Sequence, residues 1–170
     1  MEQDIESRIE KRYNQYADAL YRHAYFRCGN RDDARDIVQD VFIKYALYLR
    51  KEKKIDNDKS FLYQSVRNRV IDYFRKKKTD SLDMLAEGGF DPSKTSDHED
   101  IFQQSENKQL VILLHKLEND RYREVLLLRY IEGLEVNEIA TLLEETANVV
   151  SVRLNRATTK LKILLNGSDT

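Results

Sequence analysis

Apolar positions along this chain recur mostly at the spacing of an α-helix, every third or fourth residue. Between Arg31 and Tyr48 they line one face of a predicted helix: Ile37, Val38, Val41, Phe42 and Tyr45. A second amphipathic helix is predicted from about Phe61 to Lys78, with a core stripe of Leu62, Val66, Val70 and Tyr73. One Pro and five Gly offer few places where a helix would break. The pattern therefore predicts an all-α protein.

The periodicity fails in residues 79–105, which are rich in Ser, Thr and acidic side chains. This stretch holds Gly88, Gly89 and the chain's one proline, Pro92. Such a composition buries too little apolar surface to order itself, so a flexible acidic linker is predicted. It divides the chain into two small helical domains, 11–78 and 106–166. The polar, acidic residues before Lys11 are expected to form a frayed tail.

The C-terminal domain has the helix-capping and helix-ending residues of a helix-turn-helix. Helices are predicted over Lys108–Leu117, Tyr122–Glu132, near Val136–Leu143 and from Thr146 onward, with Asn119 or Asp120 capping the second and Gly133 ending it. A packed corner is predicted between Ile139, Ala140 and Leu143 on one side and Val149, Val150 and Leu154 on the other. A generic helical hairpin has similar spacing.

Charge is segregated along the chain, although the net charge is only −1. Residues 11–78 carry 18 Lys+Arg against 9 Asp+Glu, and residues 44–78 alone carry 12 against 4. Residues 79–109 carry 2 against 8. A concentrated positive surface attracts polyanions whatever the total charge, because salt screens distant charges. Nucleic acid is therefore the first partner to consider, and an anionic membrane surface the second.

Much of the positive charge lies around the predicted loop Tyr48–Ser60. Its cations are Arg50, Lys51, Lys53, Lys54 and Lys59, and the next helix adds Arg67, Asn68, Arg75 and Lys78 opposite its core stripe. Cations beside amide and aromatic side chains suit phosphate contacts and base stacking on a single strand. A solvated charge run that complements the helix C-terminus is the alternative.

An acidic stripe follows the helix that begins near Arg31. Its members are Asp32, Asp36 and Asp40, with Gln39 beside them. Acids in a first turn complement the helix dipole, but Asp40 lies two turns further in. A stripe of this kind could equally dock a basic partner helix, and both interpretations remain open at this stage.

Other classes of protein find little support. A mean hydropathy of −0.69 and the lack of a long apolar run exclude a transmembrane helix, which needs about 18 such residues. No signal peptide is visible, and the lone Cys28 suits a reducing compartment, so we expect a cytoplasmic protein. Because His23, His98 and His115 stand far apart, we expect no metal site, and no motif indicates a cofactor.

Taken together, these residues resemble a bacterial RNA polymerase sigma factor of the extracytoplasmic-function (ECF) type, in the sigma-70 family. The resemblance covers nearly the whole chain, in order. Residues 34–42 are similar to the core-binding stretch of region two, and residues 61–75 to its promoter-binding helix. Region four is matched by residues 123–130, 132–134, 137–140 and 153–157. Each motif is weak alone, but the ordered set around a linker is specific.

The resemblance implies roles for particular residues. It implies that Asp36, Gln39 and Asp40 dock on the clamp helices of the polymerase β′ subunit. Capture of the minus-ten element would fall to Lys53, Lys54, Phe61, Arg67, Asn68 and Arg75. Region four would sit on the β flap and read the minus-thirty-five element of promoter DNA with Ser151, Arg153, Asn155 and Arg156. The resemblance implies no catalysed reaction. Family members are often inhibited by a membrane-anchored anti-sigma factor, so one is kept as a candidate partner.

The chain departs from the family pattern in several places. Phe61 and Ala46 stand where the family often has Trp. Glu144 and Glu145 replace the usual Gly and apolar residue of the helix-turn-helix turn, and Val149, Ser151 and Val152 replace polar or basic residues. Because two carboxylates beside the groove would repel phosphates, we expect weak or unusual reading of the minus-thirty-five element.

Two other functions are weighed against this one. A helix-turn-helix regulator with an N-terminal sensor or dimerisation module would not need the cationic loop or the Arg67–Lys78 face. A nuclease could use Asp32, Asp33, Asp36 and Asp40, but that stripe lacks a nearby His or an acidic pair with an evident metal geometry.

Overall fold

The computed structural model describes residues 1–83 and 108–167, and all of their regular structure is helical. The chain divides into two compact units on either side of residue 90. In the described ranges, no helix combines the length and apolarity that crossing a membrane demands.

The first unit contains three described helices: α1 (Glu2–Cys28), α2 (Arg31–Arg50) and α3 (Asp58–Asp83). Helix α1 ends where Gly29 adopts a left-handed conformation, φ 69°, and donates its N–H to the Tyr25 carbonyl at 2.8 Å. Asn30 then caps α2, because its side chain accepts the Asp33 N–H at 3.0 Å. The two helices are thus joined by a tight turn.

The core of this unit follows the predicted stripes. Helix α2 buries all five predicted positions, Ile37, Val38, Val41, Phe42 and Tyr45, and α3 buries Leu62, Val66 and Val70. Tyr73, predicted for the same stripe, lies at the edge of the core and is half-buried. Its hydroxyl donates to Asp33 at 2.8 Å, which fastens α3 to the start of α2.

Two predicted boundaries were wrong. Residues before Lys11 do not fray, because α1 already begins at Glu2 and its second turn is anchored to α3. Helix α3 does not end at Lys78 but continues to Asp83, so the start of the predicted linker is helical. The rest of the predicted linker, residues 84–105, lies outside the described residues.

The second unit contains α4 (Lys108–His115), α5 (Asp120–Leu126), α6 (Val136–Leu143) and α7 (Ala147–Gly167). Asn119 caps α5 by accepting the N–H groups of Arg121 and Tyr122 at 3.0 and 3.2 Å. The predicted helix Tyr122–Glu132 is interrupted, since Leu127–Ile131 form a π-helical turn. Gly133 follows in the left-handed conformation, φ 69°.

The corner between α6 and α7 has the predicted core and the predicted cap. Ile139, Ala140, Leu143, Val150 and Leu154 are buried. The Thr146 hydroxyl accepts the Val149 N–H at 3.2 Å. One position was predicted wrongly: Val149 does not pack in the corner but is 44% exposed. Val149 therefore faces solvent rather than the corner.

Candidate functional site

The three acidic and amide residues predicted on α2 lie together on its outer side. Asp36, Gln39 and Asp40 are all exposed. Asp40 accepts the Arg69 Nε–H of α3 at 2.8 Å, an ion pair that is itself about half exposed. Charges at such a surface remain available to a partner, because exposed ion pairs contribute at most about 1 kcal/mol.

Two apolar residues extend this side of α2. Ile43 is 59% exposed and Leu47 is 47% exposed, one and two turns beyond Gln39 and Asp40. We call Asp36, Gln39, Asp40, Ile43 and Leu47 the α2 outer face. The sequence interpretation missed Ile43 and Leu47, although their signal was present: they fall outside the core stripe of the same helix. The face combines negative charge with an apolar end.

The two first-turn acids of α2, Asp32 of the predicted stripe and the neighbouring Asp33, have partners within the protein. Asp33 accepts the Tyr73 hydroxyl, and burial together with this hydrogen bond raises the pKa of Tyr73. Asp32 lies in the first turn of α2, 3.9 Å from the Arg35 guanidinium. The stripe therefore divides into an end that stabilises the helix and an outer face that is open to a partner.

The loop between α2 and α3 brings cations and aromatic rings together. The Lys53 ammonium lies 4.7 Å from the centre of the Tyr48 ring. The Lys44 ammonium lies 5.9 Å from the same ring and 5.7 Å from that of Phe61, and the two rings are 5.0 Å apart. Cation–π attraction holds such a group in a defined shape. Lys44 and Tyr48 join the predicted Lys53 and Phe61, and the sequence interpretation had not singled them out.

We call Lys44, Tyr48, Lys53 and Phe61 the aromatic–cation cluster, and its first three members line a cleft. The cleft has a volume of about 280 Å³ and is also lined by Asp40, Ile43, Leu47 and Lys51. Lys54, the other cation predicted in the loop, is exposed and pairs with Asp56 at 2.9 Å. The loop and the adjoining ends of α2 and α3 thus place ammonium groups beside aromatic rings.

An ion-pair lock holds the base of this loop. Asp58, the first residue of α3, is 8% exposed and accepts hydrogen bonds from the Arg8 Nη2 and the Arg12 Nε, each at 2.6 Å. Burial alone would raise the pKa of Asp58, but the bonds from the two arginines outweigh it and lower that pKa. Arg8 also donates to the Ile55 carbonyl at 3.4 Å. The start of α1 thereby fixes the loop's exit.

The α3 residues predicted to meet DNA are placed differently from one another. Asn68 and Arg75 are exposed opposite the core, and Arg75 pairs with Asp72 one turn earlier on the same helix. Arg67 is half-buried, nearer the packed side of the helix. The exposed side of α3 therefore offers an amide and a guanidinium, with Arg67 at its margin.

Helix α7 presents an acid-free side to solvent. Up to Lys160 its exposed residues lie on one arc, since successive helix positions turn by ~100°: Asn148, Val149, Val152, Asn155, Arg156, Thr159 and Lys160. Of the residues predicted to read DNA, Asn155 and Arg156 lie on this outward arc. Ser151 and Arg153 are half-buried at its two edges. The sequence interpretation had not placed Asn148 there.

Arg153 is held by the helix-turn-helix turn. Its Nη1 lies 2.7 Å from Glu145 Oε2, and its Nη2 donates to Glu145 Oε1 at 2.9 Å. The Arg153 side chain is only 13% exposed. This ion pair compensates the Glu145 charge within the protein. Glu145 should therefore repel DNA phosphates less than the sequence alone predicts. Glu144 adopts a left-handed conformation, φ 57°, where the family usually has Gly.

The interior titratable groups give no sign of reactive chemistry. Burial lowers the pKa of His23 to about 3 and raises that of Cys28 to about 11, so both are neutral near pH 7. Within residues 1–83 and 108–167, no three His, Cys, Asp or Glu side chains are grouped in a way that could hold a metal ion.

Comparison with known proteins accounts for both halves of the chain. The family model described as Sigma-70 region 2 matches residues 12–79, and that described as Sigma-70, region 4 matches residues 113–161. The ECF RNA polymerase sigma factor SigW of Bacillus subtilis is 31% identical over 160 residues, which cover 86% of this chain and 83% of that protein. The chain belongs to the ECF group of the sigma-70 family. It is a transcription initiation factor.

Other relatives support the same family. The sigma factor SigV of Bacillus subtilis is 29% identical over 159 residues, covering 88% of this chain and 86% of that protein. Matches in both domains favour a sigma factor over a helix-turn-helix regulator with a sensor module. The α2 outer face and the cationic loop fall within the region-two match, and the outward arc of α7 falls largely within the region-four match.

Two solved structures share the fold of this sigma factor. CnrH, solved in complex with the cytosolic domain of CnrY, superposes with a TM-score of 0.66 at 22% identity and covers 94% of this chain and 88% of its own. The sigma factor RpoE of Bartonella quintana, solved with the anti-sigma factor NepR, has a TM-score of 0.70 at 20% identity, covering 92% and 96%.

Proposed function

We propose that this sigma factor binds core RNA polymerase through the α2 outer face, with Asp36, Gln39 and Asp40 docking on the clamp helices of β′. The observation that carries the proposal is the two-sidedness of α2. Its inner stripe is buried in the unit's core, while acids, an amide and two large apolar side chains stay exposed on the other side. Protein interfaces commonly combine apolar contact area with polar and charged groups nearer the solvent.

We further propose that the cationic loop and α3 capture the non-template strand of the minus-ten element. Lys53, Lys54, Phe61, Arg67, Asn68 and Arg75 would contact it, joined by Lys44 and Tyr48. Extruding a base costs a few kcal/mol of unstacking, and stacking on an aromatic ring returns about 1–3 kcal/mol per base. Melting therefore needs no hydrolysis by this chain, only a surface that prefers the open strand.

The second unit would read the minus-thirty-five element while resting on the β flap, with Asn155 and Arg156 at the base edges and Ser151 beside them. Arg153 would support the turn through Glu145. We propose the two helical domains 11–78 and 106–166 as the working units, joined by the acidic segment. The work would take place in the cytoplasm, without a cofactor.

An anti-sigma factor is a further proposed partner. The support is that RpoE of Bartonella quintana was solved in complex with the anti-sigma factor NepR. We propose a membrane-anchored protein of that class as the inhibitor of this chain.

Core binding is tested by a charge reversal on the α2 outer face. Asp36→Arg combined with Gln39→Ala should weaken affinity for core polymerase about tenfold or more, because a favourable charge becomes a repulsive one. The measurement is a titration of labelled full-length chain with core enzyme, followed by transcription from a promoter library. Asp18→Arg, the same charge change at an exposed site of α1, is the matched control and should bind normally.

Unchanged affinity of the double variant would mean that the α2 outer face is merely solvated. Failure of the native chain to bind core polymerase, or to give promoter-specific transcripts with it, would remove the proposed function as a whole. Circular dichroism of both variants should match the native chain, since every changed side chain is exposed.

A further inference from the structure

Two valines lie on the outward arc of α7, near its beginning. Val149 is 44% exposed and Val152 is 41% exposed. Val152 lies near the middle of the arc, because it is turned by roughly half a circle from the buried stripe of Val150, Leu154, Ala157 and Leu161. Single exposed apolar residues are ordinary on protein surfaces. These two, however, adjoin each other at i and i+3 on the side of the helix that carries its outward cations.

The surroundings of the valines indicate what they contact. Asn148 and Asn155 flank them on the arc, and Arg156 and Lys160 supply positive charge. No Asp or Glu occurs anywhere in residues 147–167. A partner that complements this side is therefore negatively charged and carries small apolar groups between hydrogen-bonding edges. The major groove of A·T-rich DNA has this character, because each thymine presents a methyl group and each adenine a donor and an acceptor.

Arg153, which was predicted to read DNA, is not free on this surface to read guanine. An arginine that reads guanine donates two hydrogen bonds to O6 and N7. The Arg153 guanidinium instead pairs with the Glu145 carboxylate, and the Arg153 side chain is 13% exposed. The first two turns of the arc are left with amide and apolar side chains. Valine in a helix has one strongly preferred rotamer, so its methyl groups are already in place before DNA arrives.

We propose that Val149 and Val152 contact thymine methyl groups in the minus-thirty-five element, with Asn148 and Asn155 reading neighbouring adenines. The inference rests on the proposed function, since it assigns specificity to the surface proposed there. It makes the element A·T-rich at the positions that the first two turns of α7 cover. The departures at Val149 and Val152 thus change which base is read.

The test uses holoenzyme assembled from core polymerase and the full chain. Transcription from a promoter pool with a randomised minus-thirty-five element, followed by sequencing, should enrich A·T pairs. Each enriched thymidine is then replaced by deoxyuridine, which lacks the methyl group but pairs in the same way. Removing a contacted methyl should lower holoenzyme affinity about fourfold, the effect of uncovering one buried methyl-sized group.

Variants identify which side chain makes the contact. At the thymidine that Val152 contacts, Val152→Ala holoenzyme should bind thymidine and deoxyuridine promoters equally, whereas Val152→Ile should keep the preference. Ile163→Ala is the matched control: Ile163 is a 59% exposed branched residue of the same helix, three turns further on, and its loss should leave the fourfold effect intact. Loss of sensitivity in the Ile163→Ala control would contradict the assignment.

The outcomes separate this inference from the proposed function. Promoter-specific transcription without thymine enrichment, or native holoenzyme indifferent to deoxyuridine, would overturn the inference alone. A Val152→Ala holoenzyme that retains the full methyl preference, together with a Val149→Ala holoenzyme that does the same, would also overturn it. Absence of promoter-specific transcripts from native holoenzyme would instead remove the function on which it rests.

Discussion

Asp58 shows how one buried carboxylate shapes the loop that we propose contacts promoter DNA. It binds Arg8 and Arg12 of α1 and stands at the exit of the cationic loop. The arginine side chains are 42% and 28% exposed, whereas the Asp58 side chain is 7% exposed. Loss of the ion pair therefore affects the partners unequally, because the arginines can be hydrated by solvent and the buried carboxylate cannot.

This inequality predicts an order of stabilities. Arg8→Ala combined with Arg12→Ala should lower the free energy of unfolding by about 3 kcal/mol, because it leaves the buried Asp58 carboxylate without a cation beside it. Asp58→Asn should lower it less, by about 1 kcal/mol, since the freed arginines remain partly solvated. Urea denaturation of the full chain measures both, with Arg35→Ala at an exposed ion pair as the control. The opposite order would show that the lock does not hold Asp58 in place.

His23 gives a second prediction at the scale of single residues, on the pH dependence of stability. Its pKa is about 3 in the folded chain, mainly because of burial, against 6.5 for an ordinary histidine. Below pH 6.5 the unfolded chain therefore binds a proton at His23 that the folded chain does not bind. The His23 contribution to the free energy of unfolding is present above pH 6.5 and is lost as the pH falls below that value. One such group should cost about 2 kcal/mol between pH 7 and pH 5.

Replacing His23 by Leu isolates this effect. The variant should lose about 2 kcal/mol less than the native chain between pH 7 and pH 5, as measured by urea unfolding at both values. Asp58 does not blur the comparison, because its pKa lies below 3.8 and its contribution is lost only in stronger acid. Equal pH dependence of the two proteins would mean that the folded chain protonates His23 after all.

Helix α2 is the clearest case at the scale of elements. Its inner stripe was predictable from 3.6-residue periodicity, as were the exposed positions of Asp36, Gln39 and Asp40. Ile43 and Leu47, which form its apolar end, are apparent in the sequence only as apolar residues outside the core stripe. The structure shows that both are exposed. Charge alone had suggested the surface, and the structure shows how far it extends along the helix.

Substitution of the apolar end tests its role. Ile43→Ser combined with Leu47→Ser should weaken core polymerase binding, because about half of each side chain would be buried by a partner. The loss should be nearly independent of salt, whereas that of Asp36→Arg should shrink as salt screens charge. Binding titrations at low and high ionic strength distinguish the two. A salt-dependent loss for the serine variant would contradict an apolar contact.

Other elements show why sequence alone falls short. The beginning of α1 and the end of α3 were misjudged because polar residues give no periodic signal. What orders the start of α1 is contact with Asp58, 46 and 50 residues further along the chain. Similarly, no local pattern reveals that Arg153 turns to Glu145. Periodicity predicts which side of a helix is buried, but pairings between distant charges follow only from the packed fold.

Across the whole molecule, positive and negative side chains are concentrated on different elements, although the net charge is only −1. Cations are concentrated on the loop, α3 and α7, and the exposed side of α2 carries carboxylates. Surfaces of opposite sign favour different partners. The total charge conceals this arrangement. We therefore propose that the two units contact separate promoter elements while the polymerase holds the chain.

Site-specific photo-crosslinking within the promoter complex tests that claim most directly. A crosslinker is placed at Lys54 or at Asn155 of the full chain, holoenzyme is assembled on promoter DNA, and the linked bases are mapped. The account predicts that position 54 links to the non-template strand of the minus-ten element and position 155 to duplex DNA of the minus-thirty-five element, in both cases only with core polymerase present. Both positions linking to one element, or neither linking to the promoter, would contradict it.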